Sequence, residues 1–161
     1  MATAYLETTI PSYLTSRPSR DLVVSAHQQL THEWWAAARE DVDLFVSEAV
    51  LEEIRIGDPE VAARRLRIIE GLPLLEVNEE AGRLAAIYAR RLGLHGAAAD
   101  ILHIAVAVAY KLDYLVTWNC KHIANAQVIH RLMIINQELE MATPVIATPE
   151  FLLDVTKGDD K

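Results

Sequence analysis

Residues 98–112 constrain this chain more than any other stretch. Ile101, Leu102, Ile104, Ala105, Val106, Ala107, Val108 and Ala109 follow one another there with His103 as the one polar interruption. Read at helical spacing, the segment is apolar on nearly every side. A helix of that kind is stable only when other elements cover it all round, so it belongs at the centre of the fold. Its alanines allow neighbours to pack closely. The run is too short to span a bilayer, which needs about 18 or more apolar residues.

The elements that cover it are legible as short β-prone runs alternating with capped helices. Thr3–Leu6, Asp43–Ser47, Leu74–Val77, Tyr114–Thr117 and Pro144–Ile146 read as strands. Pro11 opens a short helical turn over Ser12–Leu14, and Ser16–Arg20 reads as an exposed basic loop. Ser19 or Asp21 caps a helix running to about Arg39, with Leu22, Ala26, Leu30, Trp34 and Ala37 on one face. Trp34 and Trp35 point about 100° apart, so one enters the core and the other is partly covered or meets a partner. Ser47 caps a helix through Ile56, stopped by Gly57, and Asp58-Pro59 starts the next, which carries Arg64, Arg65 and Arg67. Asn78 caps a helix with Glu79 and Glu80 in its first turn and Arg90 and Arg91 in its last, both suited to the helix dipole. Lys121 to about Leu139 reads as mostly helical, and Thr148-Pro149-Glu150 begins a short closing helix. Strands separated by helices imply a mostly parallel sheet covered on both faces. The expectation is an α/β protein: one three-layer α/β/α domain over residues 1–155, a sheet of four to five strands, and a frayed charged tail over 156–161.

Composition narrows the function classes. Of 161 residues, 52% are hydrophobic, enough for a sizeable core. The formal net charge of −8 argues against coating nucleic acid by bulk electrostatics, while a nuclease with a local basic surface stays compatible. The single cysteine, Cys120, excludes an internal disulfide framework and reads as a small buried hydrophobe. The first residues lack the basic region and apolar stretch of a signal peptide, so a cytoplasmic protein without membrane association is expected.

Acidic residues recur at the ends of the strands. Glu7 follows the first strand, Glu52 and Glu53 lie on the helix after the second, Asp100 opens the apolar helix, and Asn119 stands just past the fourth strand. In a parallel sheet such segments gather at one edge, and ligands bind at the carboxyl ends of the strands. Carboxylates collected there repel one another, and a divalent cation resolves the repulsion. Oxygen donors without a Cys or His pair point to Mg2+ or Mn2+ rather than zinc. Such a site can activate water for attack on a phosphodiester.

Four segments, in order, resemble the PIN-domain family, which includes the VapC ribonuclease toxins of bacterial toxin–antitoxin pairs. Tyr5-Leu6-Glu7-Thr8-Thr9 resembles the opening strand followed by Asp-Thr-Asn. Leu51-Glu52-Glu53-Ile54-Arg55-Ile56-Gly57 resembles the Glu-Leu-x-x-Gly segment and selects Glu53 over Glu52. Ala99-Asp100 with Ile104-Ala105 and Ala109 resembles the Asp-led apolar helix. Leu115-Val116-Thr117-Trp118-Asn119 resembles the strand ending in Thr-x-Asp. The resemblance implies a PIN-like fold and a Mg2+/Mn2+-dependent endoribonuclease, the toxin of a type II pair, with RNA as substrate, an antitoxin partner and a homodimer. It implies Glu7, Glu53, Asp100 and Asn119 as the catalytic set, with Glu7, Asp100 and Asn119 as metal ligands. Two departures stand out: the family's first Asp is Glu7, and its fourth acid is the neutral Asn119, which can offer a carbonyl oxygen but no base. The alternative they raise is a degenerate PIN fold that binds RNA or protein without cutting. Thr8, His103, Thr117, Lys121 and His122 are the candidate substrate-binding residues, and Arg17, Arg20, Arg64, Arg65 and Arg67 are further candidates for RNA or an antitoxin.

Overall fold

The first strand, β1 (Thr3–Leu6), lies at the middle of a five-stranded sheet and is fully covered at Tyr5 and Leu6. The computed structural model describes residues 1–153; the tail expected to fray lies outside the described residues. The chain continues through α1 (Thr9–Thr15), α2 (Leu22–Asp41), β2 (Asp43–Ser47), α3 (Glu48–Ile54), α4 (Pro59–Ile69), β3 (Leu74–Leu75) and α5 (Glu79–Arg91). It closes with α6 (Ala98–Ala109), β4 (Tyr114–Val116), α7 (Ala126–Glu138), β5 (Val145–Ala147) and α8 (Pro149–Leu152). The strand order is β3-β2-β1-β4-β5, and every pair is parallel. Helices flank the sheet in an α/β/α arrangement, because parallel strands need crossovers and both faces must be covered.

Strand order reverses between β1 and β4. At such a switch point the connections leave in opposite directions and open a crevice beyond the carboxyl ends of the strands. Register places Leu6 opposite Val116. The residues that follow each of them, Glu7 and Thr117, therefore enter that crevice together.

Capping follows the local chemistry. Asp21, Ser47, Asp58 and Asn78 each accept a backbone N–H at the start of their helix. α6 is the covered helix its composition demands: every residue from His103 to Ala109 is buried, and α5 packs along it. Gly93 turns the chain out of α5 at φ +70°, a backbone conformation that side-chain-bearing residues rarely adopt.

Several boundaries differ from the sequence reading. α1 begins at Thr9, two residues before Pro11. α3 ends at Ile54 and β3 covers two residues. The segment from Cys120 to Asn125 is a series of turns, and α7 starts only at Ala126, where the Asn125 side chain accepts from the Gln127 and Val128 amides. α2 buries a different face. Leu22 is 86% exposed and Ala26 and Ala37 are exposed, while Gln28, Thr31, Trp34 and Ala38 are buried. The reason is polar satisfaction: Gln28 accepts from the Ser19 amide and donates to the Arg17 carbonyl, and Thr31 donates to the His27 carbonyl. Trp34 enters the core and Trp35 is half-buried against it. Cys120 is exposed on its turn, contrary to the buried position expected.

Candidate active site

Glu7 is placed by the sheet itself. Its amide donates to the Val116 carbonyl at 3.1 Å, extending the β1–β4 pairing by one bond. Its side chain is 3% exposed. Oε1 accepts the Thr9 hydroxyl at 2.6 Å, the Thr117 hydroxyl at 2.6 Å and the Thr9 amide at 3.2 Å. All of its hydrogen bonds fall on that one oxygen, so Oε2 is left without a donor. Thr9 also accepts the Trp118 amide at 2.9 Å, tying the loop after β1 to the loop after β4.

Glu53 reaches the same place from the last turn of α3, while Glu52 points to solvent. Its Oε1 accepts the Thr8 hydroxyl at 2.9 Å and touches His103 Nε2. His103, fully buried on α6, meets the Tyr5 hydroxyl through Nδ1 at 2.6 Å. Tyr5 in turn meets Ser47 Oγ at 2.7 Å. A buried relay thus runs from Ser47 through Tyr5 and His103 to Glu53 and Thr8. Oxygen and nitrogen atoms of Glu7, Glu53 and His103 lie within 4.8 Å of one another, close enough to share one cation. No Lys or Arg pairs with either carboxylate among the described residues.

The electrostatics of this cluster are set by its partners. Burial pushes the Glu53 carboxyl up, but the hydrogen bond and charge of His103, together with the Thr8 hydroxyl, outweigh it and hold the group below the usual carboxylate range. Burial pushes the Tyr5 phenol far up, with the Ser47 hydrogen bond opposing it only in part, so Tyr5 keeps its proton throughout the working pH range.

Asp100 and Asn119 belong to an adjoining network rather than to the three-residue cluster. Asp100 Oδ2 pairs with His122 Nδ1 at 2.8 Å. Asn119 Oδ1 accepts the His122 amide at 2.9 Å, and its own amide donates to Thr117 Oγ1 at 2.9 Å. A chain of bonds thus runs from Glu7 through Thr117, Asn119 and His122 to Asp100. Lys121 is exposed on the same turn. Arg17, Arg64 and Arg65 line a separate cleft with Thr15, Ser16 and Asp58. Trp118 anchors the loop by donating from Nε1 to Thr31 Oγ1 at 2.7 Å and stacking on His27.

Tyr5, Thr9 and Ser47 were not singled out from sequence. Period-two alternation held the signal for Tyr5, because it and Glu7 leave β1 on the same side. Ser47 was legible only as a cap, and Thr9 only as the last residue of the Glu7-Thr8-Thr9 segment that resembles Asp-Thr-Asn.

Known proteins match this chain through structure. No protein-family model matches the sequence, and no curated protein does. A chain of the VapBC2 complex from Rickettsia felis, bound to a DNA fragment from its promoter, superposes with a TM-score of 0.56 over 91% of this chain and 98% of its own, at 17% identity. The sarcin–ricin-loop-cleaving toxin VapC20 from Mycobacterium tuberculosis superposes with a TM-score of 0.53 over 70% of this chain and 86% of its own, also at 17% identity. The chain has a PIN-like, VapC-type fold. Within that fold the donor set fits a divalent metal: two clustered carboxylates lack a Lys or Arg partner among the described residues, and the side chains of Glu7, Glu53 and His103 offer donor atoms within 4.8 Å of one another. No helix among the described residues is long and apolar enough to cross a membrane.

Proposed function

We propose that this protein is a divalent-metal-dependent endoribonuclease, the toxin of a type II toxin–antitoxin pair. The observation that carries the reading is the convergence of Glu7 and Glu53 at the β1/β4 switch point of a PIN-like fold. Mg2+ or Mn2+ bound there supplies the Lewis acidity that activates water and stabilises charge on a phosphodiester. Glu7 and Glu53 would hold the cation, beside the network that joins Asp100, His122 and Asn119. Thr8, Thr9 and Thr117 fix the carboxylates before substrate arrives, so little reorganisation is needed at the reaction. His122, held by Asp100 and the Asn119 turn, and exposed Lys121 meet substrate phosphates at the rim. The similar VapBC2 complex and the sarcin–ricin-loop-cleaving VapC20 support an antitoxin partner and an RNA substrate; a cytoplasmic location belongs to the same proposal.

The test is RNA cleavage with Mn2+ by the purified protein, repeated with Glu7→Gln and Asp100→Asn. Metal-dependent cleavage lost in Glu7→Gln and reduced in Asp100→Asn is expected. Cleavage unchanged in both variants refutes the assignment. Mn2+ binding without any cleavage favours the second reading, a non-cutting PIN module, for which the neutral Asn119 is the specific observation.

A further inference from the structure

The cluster that gathers at the switch point is not an all-oxygen site. We infer that His103 is a nitrogen ligand to the cation and that the site therefore takes a first-row transition-metal dication in preference to Mg2+. This rests on the reading that Glu7 and Glu53 hold a divalent cation, and it goes further by naming the third donor and the class of metal.

Three observations converge. First, the imidazole is fully buried and its Nε2 lies with the two carboxylates inside a 4.8 Å group, whereas Asp100, one helical turn away, is turned toward His122. Second, the side-chain hydrogen bonds of Glu7 among the described residues all fall on Oε1, which leaves Oε2 free to turn to a cation. Third, the far side of the ring is held. Ser47 Oγ accepts the Ala49 amide at 3.2 Å and has a lone pair left for the Tyr5 hydroxyl. With Tyr5 donating there, its oxygen accepts Nδ1–H of His103; Nε2 hydrogen-bonds Glu53 in the metal-free protein, and its lone pair becomes available when a cation takes the place of that proton. Metal-ligating histidines are held by a partner on the other ring nitrogen, which fixes tautomer and orientation. Tyr5 and Ser47 are thus positioning residues for His103. The choice of metal follows from the donors. Mg2+ holds its waters tightly and prefers oxygen ligands, while an imidazole nitrogen strengthens binding of Mn2+, Fe2+, Co2+ or Zn2+.

The deciding experiment is pulsed electron paramagnetic resonance on the metal-free protein loaded with Mn2+, with and without 15N-histidine labelling. We expect nitrogen modulation from a directly bound imidazole, changed by the label, lost in His103→Gln and retained in His122→Gln. A bound Mn2+ with no nitrogen coupling, or coupling that survives His103→Gln, overturns the inference. Because His103 is buried, Tyr5→Phe provides a second test that leaves the ring in place. Its Mn2+ affinity should fall about 10- to 100-fold, with Mg2+ affinity unmoved. An equal loss for both metals, or none, overturns the role of the relay. RNA cleavage without nitrogen coupling would leave the nuclease reading standing and sink this inference. Nitrogen coupling without cleavage supports the ligand assignment against the nuclease reading. Absence of any Mn2+ binding overturns both.

Discussion

Thr117→Val isolates what holds Glu7 in place. The substitution keeps the shape of a fully buried side chain and removes one oxygen. That oxygen donates to Glu7 Oε1 at 2.6 Å and accepts the Asn119 amide at 2.9 Å. A hydrogen bond to a charged group contributes about 1.5–3 kcal/mol, and a neutral one about 0.5–1.5 kcal/mol. Glu7 keeps its two bonds to Thr9, so the carboxylate is weakened rather than orphaned. The expected loss of stability is about 2–4 kcal/mol, toward the upper end if the Asn119 amide finds no water. For a chain of this size that is a fall in Tm of about 4–16 °C. Urea unfolding in chelator, followed by far-ultraviolet circular dichroism, reads it without involving the metal. A cycle with Glu7→Gln separates the two bonds, since the coupling should be about 1–3 kcal/mol if Thr117 acts through Glu7. A loss below about 0.5 kcal/mol, or a coupling indistinguishable from zero, would refute the claim that Thr117 fixes the carboxylate.

Three further outcomes follow from the same structure. The Glu53 carboxyl is held below its ordinary value, so its interactions stabilise the fold fully above the unfolded carboxylate range near pH ~4.3 and lose that contribution as pH falls through the folded value; urea midpoints of Glu53→Gln should show a flatter acid limb than the parent. Trp118→Phe removes the hydrogen bond to buried Thr31 and shrinks the ring stacked on His27, and chemical unfolding should report a loss of about 1–3 kcal/mol with a changed near-ultraviolet spectrum. Ala107→Leu forces a larger side chain into the fully buried face of α6, with an expected cost of about 1–3 kcal/mol in the same assay.

The site is legible in the sequence where a residue's position is fixed by its own element. Glu7 follows directly from the end of β1, and its placement beside Thr117 from the end of β4. Glu53 over Glu52 came from the segment's resemblance, and the turn of α3 agrees with it. His103 was chosen for proximity to Asp100, one turn away on the same helix, yet its place among the carboxylates depends on how α6 is rotated against β1 and α3. Asp100 shows the converse: its meeting with His122 depends on the 120–125 turns, which the sequence reading had folded into a helix.

By itself, the sequence determined the layered parallel fold. The all-round apolar segment had to be buried, the strand runs were short and separated by capped helices, and these are local properties of pattern and capping chemistry. Tertiary structure alone decided which face of α2 is covered, because Thr31 is buried under Trp118 from the far end of the chain and Gln28 under the 16–19 loop that folds back on the helix. It alone decided the relay behind the site, since Tyr5, Ser47, Glu53 and His103 come from four elements. Their contact is set by sheet register and helix rotation, which no local pattern encodes.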